Sequence, residues 1–238
     1  QICNQYLAEF QGLTFDELKL NDDYRAQMFR YTNSFKEARF LRAYFYFNLV
    51  RAYGDVPYFT EMVTTDQVNS LTRTPAQEIF NAIIAECDKL STELPADYTK
   101  LGLDGIAPAE NGRVTCYAAL ALKARAALYA ASPLFNPENN KDLWRRAAEA
   151  NKEVIETCTA NGFKLSKYSE LWGPNNWSNN EMIFVRRYNG NISTLEEYNF
   201  PMGVPGGNSG NCPTQNMVDA YEMKATGKMW NETGSGYD

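Results

Sequence analysis

The chain has 238 residues, of which 44% are apolar and 22% are charged, the composition of one sizeable globular domain. Its 23 basic and 29 acidic residues give a net charge of −6 with no basic stripe, which argues against nucleic acid or an anionic membrane surface as a partner. The chain contains no histidine and so lacks the commonest general base and metal ligand. We therefore predict no catalytic residue, no metal site and no cofactor.

Apolar residues recur at helical spacing over residues 1–11, which predicts a first helix. The strongest helical pattern runs from Tyr24 to Tyr53, and Gly54 and Pro57 predict its end. The segment 43–50 is apolar almost all round, which predicts a helix packed on several sides. The tyrosines around this segment are expected to be buried: Tyr44, Tyr46 and Tyr53.

A second helix start is predicted at Thr74, which is expected to cap the helix while Pro75 takes the first helical position. Gln77 is expected to complete a capping box with Thr74. Apolar residues then repeat at intervals of three and four, and the helix is predicted to end near Leu94. Residues 96–112 are polar and contain glycine, which predicts a loop.

An alanine-rich helix is predicted from Val114 to Ala131, with Thr115 as its N-cap residue. Small side chains let neighbouring helices approach closely, so this helix is expected to lie between others. A further helix is predicted over 142–158. Its expected inner face consists of Trp144, Ala147, Ala148, Val154, Ile155 and Cys158.

The composition changes after Lys164, where Asn, Gly, Ser and Pro are frequent and single aromatic residues lie among them. Residues 182–185 are predicted to form a strand and residues 215–221 a short helix. We interpret the chain as one domain with a helical body over 1–160 and a loop-rich, candidate ligand-facing region over 161–238.

Two helix pairs follow each other along the chain, 24–53 with 75–94 and 114–131 with 142–158. Successive pairs of this kind resemble tetratricopeptide-type repeats, although the linking loops are longer than a regular array permits. The predicted fold class is mainly all-α, with tetratricopeptide-like helical hairpins, long irregular loops and little strand.

The segment 38–57, ARFLRAYFYFNLVRAYGDVP, resembles the hallmark of the SusD/RagB family. Three further stretches agree with that family in the same order along the chain. They are GRVT at 112–115, which leads through the alanine-rich helix to SPLFN at 132–136, then NEMIFVR at 180–186, and PTQNMVDAYEM at 213–223. Four ordered matches are more specific than one short motif and span nearly the whole chain.

The resemblance implies a binding protein and not an enzyme, tethered by an N-terminal lipid to the outer face of the outer membrane in Bacteroidota. Members of the family bind oligosaccharides, or peptides in some cases, and cover a SusC-like TonB-dependent transporter. We therefore expect an oligosaccharide ligand and such a transporter as partners, with the membrane contacted only through the lipid. The family's lipidated cysteine and its C-terminal part are not found in this sequence, so we expect the full protein to be longer at both ends.

The best ligand-binding candidates lie in one amide-rich loop, where Trp172 and Trp177 flank Asn175 and Asn176. Flat aromatic faces suit the C–H surfaces of pyranose rings, and amides suit their hydroxyl groups. The alternative is that one or both indole rings anchor the loop onto the helical body. Because ligand residues vary within the family, the resemblance transfers no binding role to these positions.

Other aromatic and basic residues are interpreted as structural. Tyr58 and Phe59 are expected to pack in the core or the loop, and Trp144 in the core. The arginines of the long helix are expected to pair with carboxylates or with carbonyls of neighbouring loops: Arg39, Arg42 and Arg51.

Two other functions stay open at this point. One is a member of the same family that binds a peptide or a glycoprotein, which the sequence does not separate from a glycan binder. The other is a helical-repeat scaffold that grips proteins in a groove. The long loops with scattered aromatic residues disfavour the scaffold.

Overall fold

The computed structural model describes residues 1–103, 112–172, 179–185 and 194–237. Within these ranges there is no β-strand, only an isolated antiparallel bridge between Val56 and Thr74, so the mainly helical fold class is confirmed. Three 3-10 helices cover Asp16–Leu18, Tyr98–Lys100 and Tyr168–Trp172. The α-helices are α1 (Ile2–Glu9), α2 (Tyr24–Tyr53), α3 (Thr65–Ser70), α4 (Ala76–Glu93), α5 (Cys116–Ala131), α6 (Lys141–Ala160), α7 (Thr194–Asn199) and α8 (Gln215–Asp219).

The chain forms two compact units, Gln1–Arg186 and Arg187–Asp238. The residues that follow α6 up to Arg186 thus belong to the same unit as the helical body. The expected ligand-facing role of residues 161–238 is not tested by this division and stays a prediction.

The long helix α2 buries one face against α1 and α4, with Phe40, Phe47 and Val50 in the core. At its end, Gly54 has a φ of 69°, a backbone conformation that favours glycine, and its N–H donates to the Val50 carbonyl at 2.8 Å. The guanidinium of Arg51 lies 5.9 Å from the centroid of the Phe47 ring. Among the described residues Arg51 has no carboxylate or carbonyl partner, so the pairing predicted for it is wrong.

The opposite face of α2 is more exposed than predicted. Phe45, Leu49 and Tyr53 are 52%, 44% and 71% exposed, and Tyr44 is exposed as well, whereas Tyr46 is buried. The prediction of a helix packed on several sides is therefore wrong, and so is the burial of Tyr44 and Tyr53. Apolar residues on all sides of a helix do not show which other elements will pack against it. Among the described elements, α1, α4 and α5 cover only part of α2.

The loop that follows α2 is attached to it through Tyr46. The Tyr46 hydroxyl accepts a hydrogen bond from the N–H of Phe59 and donates one to the Phe59 carbonyl, both at 3.0 Å. The Tyr58 ring lies 4.6 Å from the Tyr46 ring. The predicted packing roles of Tyr58 and Phe59 are confirmed.

The start of α4 differs from the predicted capping box. Pro75 is the N-cap residue, and no side chain of the local sequence caps the helix. Instead, the N–H of Ala76 donates to the carboxylate of Asp55, 21 residues earlier, at 2.8 Å. The Gln77 amide donates to two carbonyls at the end of α5 and in the turn beyond it, both at 2.7 Å. Hydrogen bonds with residues distant in the sequence therefore take the place of the capping box predicted for Thr74 and Gln77.

The alanine-rich helix α5 lies between α4 and α6 and packs against both. The predicted pairing of α2 with α4 and of α5 with α6 is confirmed. Larger side chains on α4, among them Ile79, Phe80, Ile83 and Leu90, are fully buried against this stack. The alanines of α5 that are buried are Ala118, Ala119, Ala124, Ala126, Ala127, Ala130 and Ala131.

The inner face of α6 is narrower than predicted. Ala147, Ala150 and Cys158 are buried, whereas Trp144 is 38% exposed and Ile155 is 66% exposed. Of the described helices only α5 packs extensively against α6, so one stripe at three- and four-residue spacing is covered. The predicted core positions of Trp144, Ala148 and Ile155 are therefore wrong.

The predicted strand at residues 182–185 is absent, and this segment has an irregular backbone. No other strand lies within the described ranges for it to pair with, and an isolated strand is not stable in water. Its apolar side chains anchor it instead. Ile183 packs against the core, and the Phe184 ring meets the Phe40 ring edge-on at 5.4 Å.

In the second unit, α8 begins at the predicted residue, with the Thr214 hydroxyl accepting from the N–H of Met217 at 3.3 Å. Near the end of this unit the Trp230 and Tyr237 rings lie edge to face at 5.9 Å. The Ser235 hydroxyl donates to the Trp230 carbonyl at 3.0 Å, which closes a compact turn.

Ala126→Leu is expected to lower the free energy of unfolding by about 1–3 kcal/mol, because a larger side chain has no room where Ala126 is 0% exposed. Denaturation in urea measures the change. Ala148→Leu, at an exposed position of α6, is the matched control and should change the same quantity by less than about 0.5 kcal/mol. Equal effects of the two substitutions would contradict the close packing of α5.

Candidate ligand-binding cleft

A cleft of about 550 Å³ lies in the first unit, where the end of α4, the start of α5 and the end of α6 meet. The N–H of Cys116 donates to the Pro95 carbonyl at 3.1 Å, which ties the start of α5 to the end of α4. Segments 95–101, 112–117, 161–163 and 179–182 contribute its lining. The volume is in the range of small-molecule sites.

One wall of the cleft is aromatic. The Phe163 ring lies 4.9 Å from the Tyr117 ring at an interplanar angle of 63°. Tyr117 is buried in the first turn of α5, and burial raises the pKa of its hydroxyl. Phe163 is half-buried, and its N–H donates to the Cys158 carbonyl at 3.0 Å, which fixes the turn after α6.

Three asparagine amides line the same cleft: Asn161, Asn179 and Asn180. The Asn179 carbonyl oxygen accepts from the Ser166 hydroxyl at 2.5 Å and from the N–H of Glu181 at 2.9 Å, which leaves its NH2 group available. The Asn161 NH2 group donates to a carbonyl of α6 at 2.8 Å, which leaves its oxygen available. The Asn180 side chain makes no hydrogen bond within the described part of the chain. The cleft therefore presents both donors and acceptors.

The walls of the cleft are tied to α2 through the Glu37 carboxylate. Glu37 accepts hydrogen bonds from Arg113, with Nε at 2.7 Å and Nη2 also in contact, and from the Asn33 amide at 3.2 Å. The Tyr98 hydroxyl lies 3.0 Å from Glu37 and 2.7 Å from the Val114 carbonyl, and donates its single proton to one of them at a time. Burial and the negative charge of Glu37 raise the pKa of Tyr98.

Thr115 is the N-cap residue of α5, as predicted, but its side chain does not cap the helix. Its hydroxyl oxygen is buried, and within the described residues it has no hydrogen-bond partner. Most buried polar atoms in proteins have a partner. Thr115 contributes to the lining of the cleft, but its hydroxyl oxygen is buried and is not exposed to a bound molecule.

Asp97 is the one carboxylate in the described lining of the cleft. Its Oδ1 accepts from the Thr99 hydroxyl at 2.6 Å and from the Thr99 N–H at 2.8 Å, while Lys100 lies 3.3 Å from Oδ2. The hydrogen bonds from Thr99, with a smaller effect of Lys100, lower the pKa of Asp97, so the carboxylate is ionised at neutral pH.

A smaller cavity of about 250 Å³ between α2 and α4 is lined by Arg39 and Arg42, which have structural partners. Arg39 Nε contacts Glu86 at 2.6 Å. Arg42 Nη1 donates to the Asn4 side-chain oxygen at 3.0 Å and to the Thr60 carbonyl at 2.9 Å. The structural roles predicted for these two arginines are confirmed.

The four residues predicted to bind ligand are not tested by the structure. Trp172 ends the 3-10 helix Tyr168–Trp172, but its side chain lies outside the described residues, as do Asn175, Asn176 and Trp177. Their binding role stays a prediction. No local sequence pattern indicates the residues of the cleft, since only the tertiary fold brings the start of α5 beside the turn after α6.

The described residues contain no group of three or more acidic or cysteine side chains placed to hold a metal ion. A separate search of the same residues finds no helix with the length and apolarity needed to cross a membrane.

The stacked helical pairs and their polar cleft define a helical-repeat protein of the tetratricopeptide-like class. A family of SusD-like proteins, described as starch-binding and associating with the outer membrane, matches residues 11–128. A SusD-like protein of Formosa agariphila is 25% identical over 149 residues, which are 62% of this chain and 24% of that protein.

Solved structures agree with this assignment. A SusD-like protein from Bacteroides fragilis is 27% identical, with a TM-score of 0.65 over 95% of this chain and 40% of its own. A SusD-like carbohydrate-binding protein from the same species is 26% identical, with a TM-score of 0.57 over 79% of this chain and 31% of its own. The chain belongs to the SusD/RagB family and spans about a quarter to two fifths of the length of these relatives.

Glu37→Gln is expected to lower the free energy of unfolding by about 2 kcal/mol, because the charged hydrogen bonds between Glu37 and Arg113 behind the cleft are then lost. Urea denaturation of the purified protein measures the loss. Glu149→Gln, at an exposed position of α6, is the control and should have little effect. If both variants unfold at the same urea concentration as the parent, Glu37 does not hold the walls of the cleft together.

Proposed function

We propose that the full protein is a glycan-binding protein of the cell surface that captures oligosaccharides and delivers them to a SusC-like TonB-dependent outer-membrane transporter. In this proposal an N-terminal lipid holds it on the extracellular face of the outer membrane. The observation that carries the proposal is the combination, in one cleft, of an aromatic wall with available amide groups.

This lining suits the surface of a sugar. The half-buried Phe163 ring offers an apolar face to the C–H groups of a pyranose ring. The available NH2 group of Asn179 and the available oxygen of Asn161 match hydroxyl groups, which both donate and accept hydrogen bonds. The family description as starch-binding and the carbohydrate-binding relative from Bacteroides fragilis support the same ligand class.

Binding without catalysis is part of the proposal. Glycoside hydrolysis commonly uses two carboxyl groups on either side of the scissile bond. Within its described lining the cleft has only Asp97. Purified protein incubated with a polysaccharide should release no reducing ends, and their release would contradict this part of the proposal.

Asn180→Ala is expected to weaken oligosaccharide binding by about 3- to 10-fold, the range of one lost hydrogen bond. Isothermal titration of the full-length protein with a panel of oligosaccharides measures the dissociation constant. Asn180 is exposed and its side chain makes no hydrogen bond in the described structure, so its replacement should not disturb folding. Asn69→Ala, on the exposed surface of α3, is the matched control and should leave the constant unchanged.

The same titration tests the amide-rich loop through Trp172→Ala and Trp177→Ala. Weaker binding in either variant would extend the ligand site onto that loop. Saturable binding to peptides, with none to any glycan, would contradict the proposal and favour the peptide-binding alternative within the same family.

A further inference from the structure

We infer that the cleft selects neutral oligosaccharides and discriminates against those with carboxylate or sulfate groups. This inference rests on the proposed function, since it names the class of glycan for the same site. It follows from how the charged residues of the lining are partnered and from which hydrogen-bonding groups remain available.

The strongest cation of the lining, Arg113, is already neutralised. Its guanidinium donates through Nε and Nη2 to the Glu37 carboxylate, which reaches the cleft wall from α2. The Glu37 side chain is 14% exposed and the Arg113 side chain 31% exposed, so this pair is only partly exposed to solvent. An anionic ligand would have to compete with a fixed carboxylate for the same guanidinium.

The second cation, Lys100, offers little attraction to an anion. Its side chain is 83% exposed, and its ammonium group lies 3.3 Å from the Asp97 carboxylate. Attraction between charges that are this exposed is weak and screened by salt. Asp97 itself lines the cleft and carries a negative charge, so it repels a carboxylate or sulfate brought close to it.

The hydrogen-bonding groups of the lining also favour neutral oligosaccharides. The available oxygen of Asn161 is an acceptor and needs a ligand donor, which a sugar hydroxyl supplies and a carboxylate or sulfate does not. The available NH2 group of Asn179 is a donor, and a sugar hydroxyl accepts from it. A ligand rich in hydroxyl groups satisfies both positions, whereas an ionised group can satisfy only donors.

The test uses pairs of oligosaccharides with the same skeleton and linkage that differ only in a hydroxymethyl or carboxylate group. Glucan with glucuronan, mannan with mannuronan and galactan with galacturonan oligosaccharides are titrated into the full-length protein. In any pair that binds, we expect the neutral member to bind at least 10-fold more tightly. A uronate or sulfated oligosaccharide that binds as tightly as its neutral counterpart would overturn the inference and leave glycan capture intact.

Two variants test which charged residue causes the discrimination against anionic oligosaccharides. Asp97→Asn keeps an oxygen for the Thr99 hydrogen bonds but removes the charge, so the difference between the dissociation constants of the uronate and neutral members of a pair should become smaller. Lys100→Gln should leave the ratio of the uronate and neutral dissociation constants within 2-fold of its original value. A large loss of uronate binding in Lys100→Gln would show that the lysine recognises anions and would contradict the inference. Absence of binding to any glycan would overturn the proposed function and this inference with it.

Discussion

The cleft depends on one partly buried carboxylate. Glu37 projects from the middle of α2, and residues far apart in the sequence, Asn33, Tyr98 and Arg113, converge on it. A buried charge is costly unless it is paired and hydrogen-bonded, so these donors and the carboxylate stabilise one another. Two irregular segments, one after α4 and one before α5, thereby gain a fixed position against a rigid helix. The same interaction neutralises Arg113, which links the stability of the cleft wall to the ligand selectivity that we propose for the cleft.

The place of the cleft follows from the order and direction of the helices. The end of α4 and the start of α5 are joined by the hydrogen bond from Cys116 to Pro95, and the start of α5 meets the turn after α6 through Tyr117 and Phe163. Neighbouring helices of the stack therefore run antiparallel, and three helix ends meet at one place. The small side chains of α5 bring α4 and α6 close to it, so the backbone and polar side chains at these ends form a shared cavity.

Local periodicity was sufficient to predict the main helices, and on α4 the apolar spacing also records which side faces the core. On α2 and α6 the same pattern predicted more buried positions than the neighbouring helices cover. Local periodicity gave wrong predictions where a residue distant in the sequence determines the local structure. Asp55 caps α4 in place of Thr74, and the segment around Phe184 attaches through its side chains rather than as a strand. The cleft residues could not be predicted, since no local pattern brings the start of α5 and the turn after α6 together. The roles of Trp172, Asn175, Asn176 and Trp177 stay predictions.

Hydrogen–deuterium exchange of the full-length protein, with and without the neutral oligosaccharide that binds most tightly, tests most directly whether the cleft is the ligand site. We expect slower exchange of backbone amides in segments 97–101, 112–117 and 161–163 when the oligosaccharide is bound, because the ligand covers these segments and restricts their opening. Slower exchange confined to other parts of the protein, with these three segments unchanged, would contradict the assignment of this cleft as the glycan-binding site.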